Sequence, residues 1–315
     1  MSDPQLQPQP QAQRPVLVYN EIGANRRNTF LLLVAFIIVI GGALVGVGIA
    51  LGLPYAFAPF LIVPAIIYAI FSYYSSTNVT LAISQAHPVT KEEEPDYYRT
   101  VENLCIAAGL PMPKLYVIED RAPNAFATGR DPNHAVVCVT RGLLQKMDHL
   151  ELEGVIAHEL SHIGNYDIRL MTVVVVLIGV VALLSDFMFR FTIWGAGSRM
   201  GNRGRNGGSA VIIIYAVALL AAILAPIAAT LIQLALSRQR EYLADASGAL
   251  LTRYPEGLAS ALEKIEKDNE PLAEANKATA HLYITNPLKE HSSWLNNMFS
   301  THPPIEKRIA LLRAM

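Results

Sequence analysis

The chain has 315 residues, 52% of them hydrophobic and 16% charged, with a mean hydropathy of +0.32, which is more apolar and less charged than an ordinary soluble domain. A formal net charge of −1, with no Gly-rich phosphate loop and no repeat, gives no reason to expect a nucleic-acid partner. Two cysteines, Cys105 and Cys138, lack CxxC spacing and read as buried apolar fillers rather than as a disulfide or a thiolate metal site.

Residues 1–28 include the Pro/Gln-rich run PQLQPQPQAQRP, which cannot build a core and reads as a disordered tail. Residues 29–75 read as a transmembrane hairpin. From Phe30 to Leu53 no charge occurs, and at about 1.5 Å per residue the run crosses ~30 Å of hydrocarbon. A second apolar run goes from Tyr55 to about Tyr74, with Pro54 at the connection. The first run exceeds the about 7–15 residues of a signal-peptide core, starts late and is followed at once by the second, so it reads as retained. Arg14, Arg26 and Arg27 precede it while the hairpin turn carries no Lys or Arg, which puts the N-terminus in the cytoplasm.

Residues 76–170 then return to the cytoplasm as a soluble part. Asp96 to Ala108 reads as a helix ended by Gly109-Leu110-Pro111, and Lys114 to Glu119 as a strand. Asn124 to Thr128 and Ala135 to Thr140 read as strands around the turn Gly129 to Asn133, a hairpin. An exposed edge strand in such a sheet can hold an extended polypeptide by main-chain hydrogen bonds, which marks Asn124, Ala125 and Phe126 as candidate substrate-binding residues. Equally, such strands can do no more than pack a helix.

The run His158-Glu159-Leu160-Ser161-His162 reads HExxH. Residues i and i+4 of a helix share a face, so both imidazoles can reach one metal ion, and Glu159 beside them can take a proton from water whose pKa the metal has lowered. Three fixed positions also recur by accident on surface helices. Here Val155, Ile156, Leu160 and Ile163 make an apolar stripe that carries the histidines inward, where imidazoles need partners and a metal supplies one.

Residues 171–236 hold two further apolar runs, from Met171 toward Phe189 and from Ala210 to Leu236, giving about four transmembrane helices. Asp186 lies four residues before Arg190 and can pair with it, and Pro226 is tolerated in a membrane helix. The loop between them carries Arg190, Arg199, Arg203 and Arg205, a cluster that the positive-inside rule assigns to the cytoplasm, against the order of crossings. Either the last pair crosses against the charge bias or it lies buried against the first hairpin.

Residues 237–315 form a helical C-terminal part. If the fourth membrane helix continues straight, the run Ser237 to Asp245 projects beside the motif helix and Glu241 arrives at a comparable height. Its carboxylate can close a His₂Glu set that leaves a fourth position for water, and Asp245, one turn on, can accept the second N–H of a ligand histidine. Glu241 and Asp245 also suit an ordinary charged face beside Arg238 and Arg240. Glu263 to Lys277 reads as a solvated helical face.

His158 to His162, Ser237 to Ala249 (SRQREYLADASGA), Asn124 to Gly129 (NAFATG) and Thr301-His302-Pro303-Pro304 together resemble the membrane-bound zinc metalloproteases of the HtpX type, relatives of the CAAX prenyl-protein proteases. The resemblance runs from the first hairpin to the C-terminal THPP segment. It implies a mostly α membrane protein with a small α+β zincin-like catalytic domain. It also implies one zinc ion held by His158, His162 and Glu241, with Glu159 as general base. His302 alone would be a loop residue; the resemblance implies that it folds back toward the metal and donates to the oxyanion. The implied activity is a zinc-dependent endopeptidase of the bacterial plasma membrane, with its active site facing the cytoplasm, acting on misfolded or damaged membrane proteins in quality control and stress response. The competing readings are an inactive zinc-binding membrane scaffold and a CAAX-type prenyl-protein protease. Against them stand the cysteine-poor ligand set and a chain too short for a many-helix chamber.

Overall fold

The computed structural model describes residues 18–50, 54–177, 238–268, 270, 282–285 and 303–315. Most of the third membrane run, all of the fourth with its Arg-rich loop, and His302 lie outside the described residues.

Helix α1 spans Val18–Ala50, and after a short turn at Tyr55–Phe57 helix α2 spans Ala58–Ile83 with Pro64 inside it. Both are long and apolar enough to cross a membrane, and Phe30, Ile38, Phe60 and Ile67 stand exposed along them, as lipid-facing side chains do. Residues 18–28, expected as part of a tail, instead extend α1. The reason is tertiary: Asn25 is buried and hydrogen-bonded to Asn165 and Asp167, and the Arg26 guanidinium lies 4.2 Å from the Tyr166 ring centroid. Leu32, Phe36 and Ile40 of α1 pack with Ala65 and Ala69 of α2 against Leu170, Val173 and Leu177 of α6, a helix whose described part covers residues 167–177.

The soluble part is a four-stranded sheet with helices packed on it. Helix α3, Pro95–Ala108, ends at Gly109 with φ 63°, a left-handed cap that suits glycine. Strands β2 (Lys114–Ile118), β3 (Ala125–Gly129) and β4 (Ala135–Thr140) fall where the alternation places them, with β1 (His87–Pro88) as an unforeseen addition. The spatial order is β1-β2-β4-β3; β3 and β4 form the expected antiparallel hairpin, while β2 and β4 run parallel. Strand β3 is therefore an edge. A short helix α4, Arg141–Lys146, follows β4.

Helix α5, His149–Gly164, carries HExxH and starts at a capping box in which Asp148 and Glu151 each accept the other's backbone N–H. Lys264 closes over Glu151 at 2.5 Å. Helices α7 (Arg238–Thr252) and α8 (Pro255–Lys267) lie along α5, and α9 (Ile305–Arg313) packs on α8. The approaches are close. A Cβ on Gly248 of α7 would stand 3.0 Å from the backbone nitrogen of His158, and one on Gly154 would stand 2.5 Å from that of Leu258. The core joins Val155, Ile156 and Leu160 of α5 to Val137 and Val139 of the sheet and to Leu258 and Leu262 of α8. Cys105 and Cys138 are free thiols buried in these layers.

Candidate metal centre

Helical periodicity puts His158 and His162 on one face of α5, and the Gly248 contact brings α7 near enough for Glu241 to reach both. Glu241, Asp245 and Gly248 share a face of α7 at i, i+4 and i+7, so the residue that permits the approach is aligned with those that use it. The two imidazole Nε2 atoms are 3.3 Å apart, and the Glu241 oxygens lie 3.7 Å from His158 Nε2 and 3.6 Å from His162 Nε2. One ligand atom from each of the three fits within 4.8 Å of the others.

These separations suit a shared cation better than direct hydrogen bonding. Four ligands at about 2.0–2.1 Å around a tetrahedral zinc stand about 3.3–3.4 Å from one another. Both Nδ1 atoms face carboxylates: His158 Nδ1 lies 3.0 Å from Asp245 Oδ1, and His162 Nδ1 lies 3.0 Å from Asp167 Oδ2. Donation of Nδ1–H from a neutral His162 to Asp167 leaves its Nε2 lone pair for the common centre, while His158 Nδ1 stands close to Asp245 without hydrogen-bond geometry. Burial favours a neutral His162, but the Asp167 hydrogen bond and the charges of Glu241 and Glu159 outweigh it and lift the pKa to about 9. A positive charge is therefore favoured between these carboxylates, and a divalent ion meets that demand.

Glu159 is buried next to His158 and His162, and its Oε1 has no hydrogen-bond partner. Burial and the Glu241 charge push its pKa up to about 7, against His162, the Ala127 backbone N–H and Arg308, which pull it down. A carboxyl near neutrality with a vacant oxygen is suited to taking and returning a proton.

Three residues that sequence reasoning missed complete the surroundings. Arg308 of α9, fully buried, donates Nε to Asp245 Oδ2 at 2.8 Å and Nη2 to Oδ1 at 2.6 Å, and its Nη1 donates to the Ile284 carbonyl at 2.9 Å. Against burial, Arg308 and His158 hold the Asp245 carboxyl below its ordinary range. Asp167 follows α5, and Asn25 reaches it from α1. Arg308 had a readable signal, since it shares the face of Ile305, Ile309 and Leu312 and a charge in that stripe needs a partner. Asn25 had none.

The structure also locates Asn124, Ala125 and Phe126. Phe126 is wholly buried with its ring 5.1 Å from that of Tyr283. The outward rim of β3 is engaged within the chain: the Ala125 N–H donates to Asn124 Oδ1 at 3.0 Å, and the Ala125 carbonyl accepts the Ile284 N–H at 2.9 Å. Asn124 Nδ2 donates to the Thr285 carbonyl at 3.3 Å.

The sequence profile of peptidase family M48 matches residues 91–315, which include every member of this centre on α5, α7 and α9. The chain belongs to peptidase family M48. This family member is 46% identical over 299 residues to the protease HtpX homolog of Tropheryma whipplei (strain TW08/27), covering 95% of the chain and 99% of that relative. It is 48% identical over 306 residues to the protease HtpX homolog of Dictyoglomus thermophilum, covering 96% of each. With the homolog from Listeria monocytogenes serotype 4a it shares 45% over 307 residues, covering 95% of the chain and all of the relative. Among solved structures, S. mikatae Ste24p aligns over 92% of this chain and 67% of its own at 16% identity, with a TM-score of 0.49. Membership in M48, with the HtpX relatives, makes the chain a membrane metallopeptidase.

Proposed function

We propose that the protein is a zinc-dependent endopeptidase of the bacterial plasma membrane that cuts polypeptides at its cytoplasmic face, with misfolded or damaged membrane proteins as substrates. The observation that carries this reading is the convergence of His158, His162 and Glu241 with the vacant Glu159 oxygen at their side. One zinc per chain would be held by those three residues, with Asp245 and Asp167 fixing the imidazoles. Bound there, zinc supplies Lewis acidity toward water and toward a peptide carbonyl.

The protein groups do the rest. Glu159 takes the proton of the attacking water and returns it to the leaving amine, a task that its near-neutral pKa favours. His302, a role suggested by the family resemblance alone, donates to the oxyanion. Strand β3 from Asn124 to Phe126 pairs with the extended substrate by main-chain hydrogen bonds. The Ile284 N–H stands where a substrate N–H would pair with the Ala125 carbonyl, so this mode requires Leu282–Thr285 to yield. About four membrane helices, with domain limits near residues 75, 170 and 236 and a tail that ends before α1 begins at Val18, complete the proposed organisation.

The test is cleavage of casein by detergent-purified protein, with Glu159→Gln alongside and zinc measured in both. Cleavage by the parent alone, at equal zinc, is expected. Equal activity in the variant would remove Glu159 from its role, and a parent purified without zinc would remove the metal reading.

A further inference from the structure

A cavity of about 370 Å³ opens along the membrane hairpin, walled by Leu33, Val34 and Ile37 of α1 and by Ile70 of α2. Most of its lining is apolar, and Arg26, Arg169, Tyr73 and Tyr74 line it as well. Both guanidinium groups lie over the same Tyr166 ring, 4.2 and 5.3 Å from its centroid. Arg169 also donates Nε to the Arg130 carbonyl at 2.6 Å. Among the described residues, no carboxylate forms an ion pair with Arg26 or Arg169.

Two cations near one ring with no carboxylate paired to either among the described residues repel each other, and an anion shared by them relieves that. Arg26 lies four residues before the uncharged run that starts at Phe30, so with the hairpin in a bilayer the site would lie near the level of lipid phosphates, where tyrosines are enriched. Basic pockets between membrane helices accept anionic headgroups, and guanidinium forks match phosphate oxygens. A free phosphate would leave the apolar walls unused. A glycerophospholipid uses both ends.

We propose that this groove binds one anionic phospholipid, its phosphate between Arg26 and Arg169 and an acyl chain along Leu33, Val34, Ile37 and Ile70. The inference depends on the hairpin lying in a bilayer and is independent of the peptidase chemistry.

The full chain, purified in neutral detergent, would be titrated with phosphatidylglycerol or phosphatidylcholine of the same acyl chains and the retained lipid counted by native mass spectrometry. Phosphatidylglycerol should be preferred, and each of Arg26→Gln and Arg169→Gln should cut that preference about fivefold. Arg27→Gln, on the neighbouring exposed arginine, should leave it intact. Val34→Trp fills the groove without touching the charges and should lower retention of both lipids, which keeps the idea testable if the arginine variants fold poorly. Equal retention of the two lipids would overturn the proposal. So would an Arg27→Gln loss as large as that of Arg26→Gln, or unchanged retention in Val34→Trp. Displacement of the lipid by millimolar inorganic phosphate would reassign the site to the free anion and end the lipid reading.

Discussion

Asn25 donates its side-chain amide to Asp167 Oδ1 at 2.6 Å, and the other oxygen of Asp167 lies 3.0 Å from Nδ1 of His162. A residue at the start of the first membrane helix and a candidate zinc ligand thus share one buried carboxylate. The same amide bonds the Asn165 carbonyl at 3.0 Å, in the turn between α5 and α6. Removing a partner of a ligand histidine commonly costs about 10–100-fold in metal affinity. Asn25→Ala, one step further out, should weaken zinc binding by about tenfold, measured by competition with a chelator. Because it acts through Asp167, it should add little in an Asp167→Ala background. Leu32→Ala loosens α1 without touching that bond and serves as control; an equal loss of zinc in it would reduce Asn25 to a packing role.

Arg308 and Asp245 make a buried, forked pair near the site, with contacts at 2.8 and 2.6 Å. Arg308→Ala leaves Asp245 charged, buried and short of its main partner, a change that costs about 3–5 kcal/mol. Thermal unfolding in detergent should show a large drop, together with loss of zinc, since Asp245 also orients His158. Arg308→Lys keeps the charge but not the fork and should recover only part of each. A parent-like melting temperature for Arg308→Ala would contradict this account.

Local order in the catalytic part was legible because it is written in short-range patterns. The α3 cap at Gly109, the β3–β4 hairpin and the HExxH face follow from turn chemistry and periodicity within a few residues. Glu241 could be placed beside the motif because a straight helical extension fixes its height, although its distance from His158 depends on Gly248, which no periodicity reveals. Residues 18–28 were misread for a related reason. Their composition resembles a tail, and what makes them helical is contact with Asp167 and Tyr166 far along the chain. Strand β1, a two-residue element, carries no pattern of its own.

Glu159 and His302 should separate in their effects. Glu159→Gln keeps the size of the side chain and leaves the three proposed ligands in place, so zinc content should hold while turnover falls by about 10²–10⁴. His302→Ala should lower kcat by about 10²–10³, the usual cost of losing one oxyanion donor, again with zinc intact. Loss of zinc in His302→Ala would make its role structural instead.

Gly248 and Gly154 offer a comparison between two close helix contacts on α5, one at the metal and one away from it. A methyl at Gly248 meets the backbone of Ala157 and His158 at 3.0–3.2 Å, so α7 must shift by a few tenths of an ångström, carrying Glu241 with it. A methyl at Gly154 meets the Leu258 backbone at 2.5 Å and displaces α8, which carries none of the proposed ligands. Overpacking of this kind costs about 1–3 kcal/mol. Gly154→Ala should therefore lower the melting temperature more than Gly248→Ala, because its clash is the harder one. Zinc affinity, measured by chelator competition, should rank the other way. If both variants lost stability and zinc in the same proportion, the position of α7 would not be what sets the Glu241 distance.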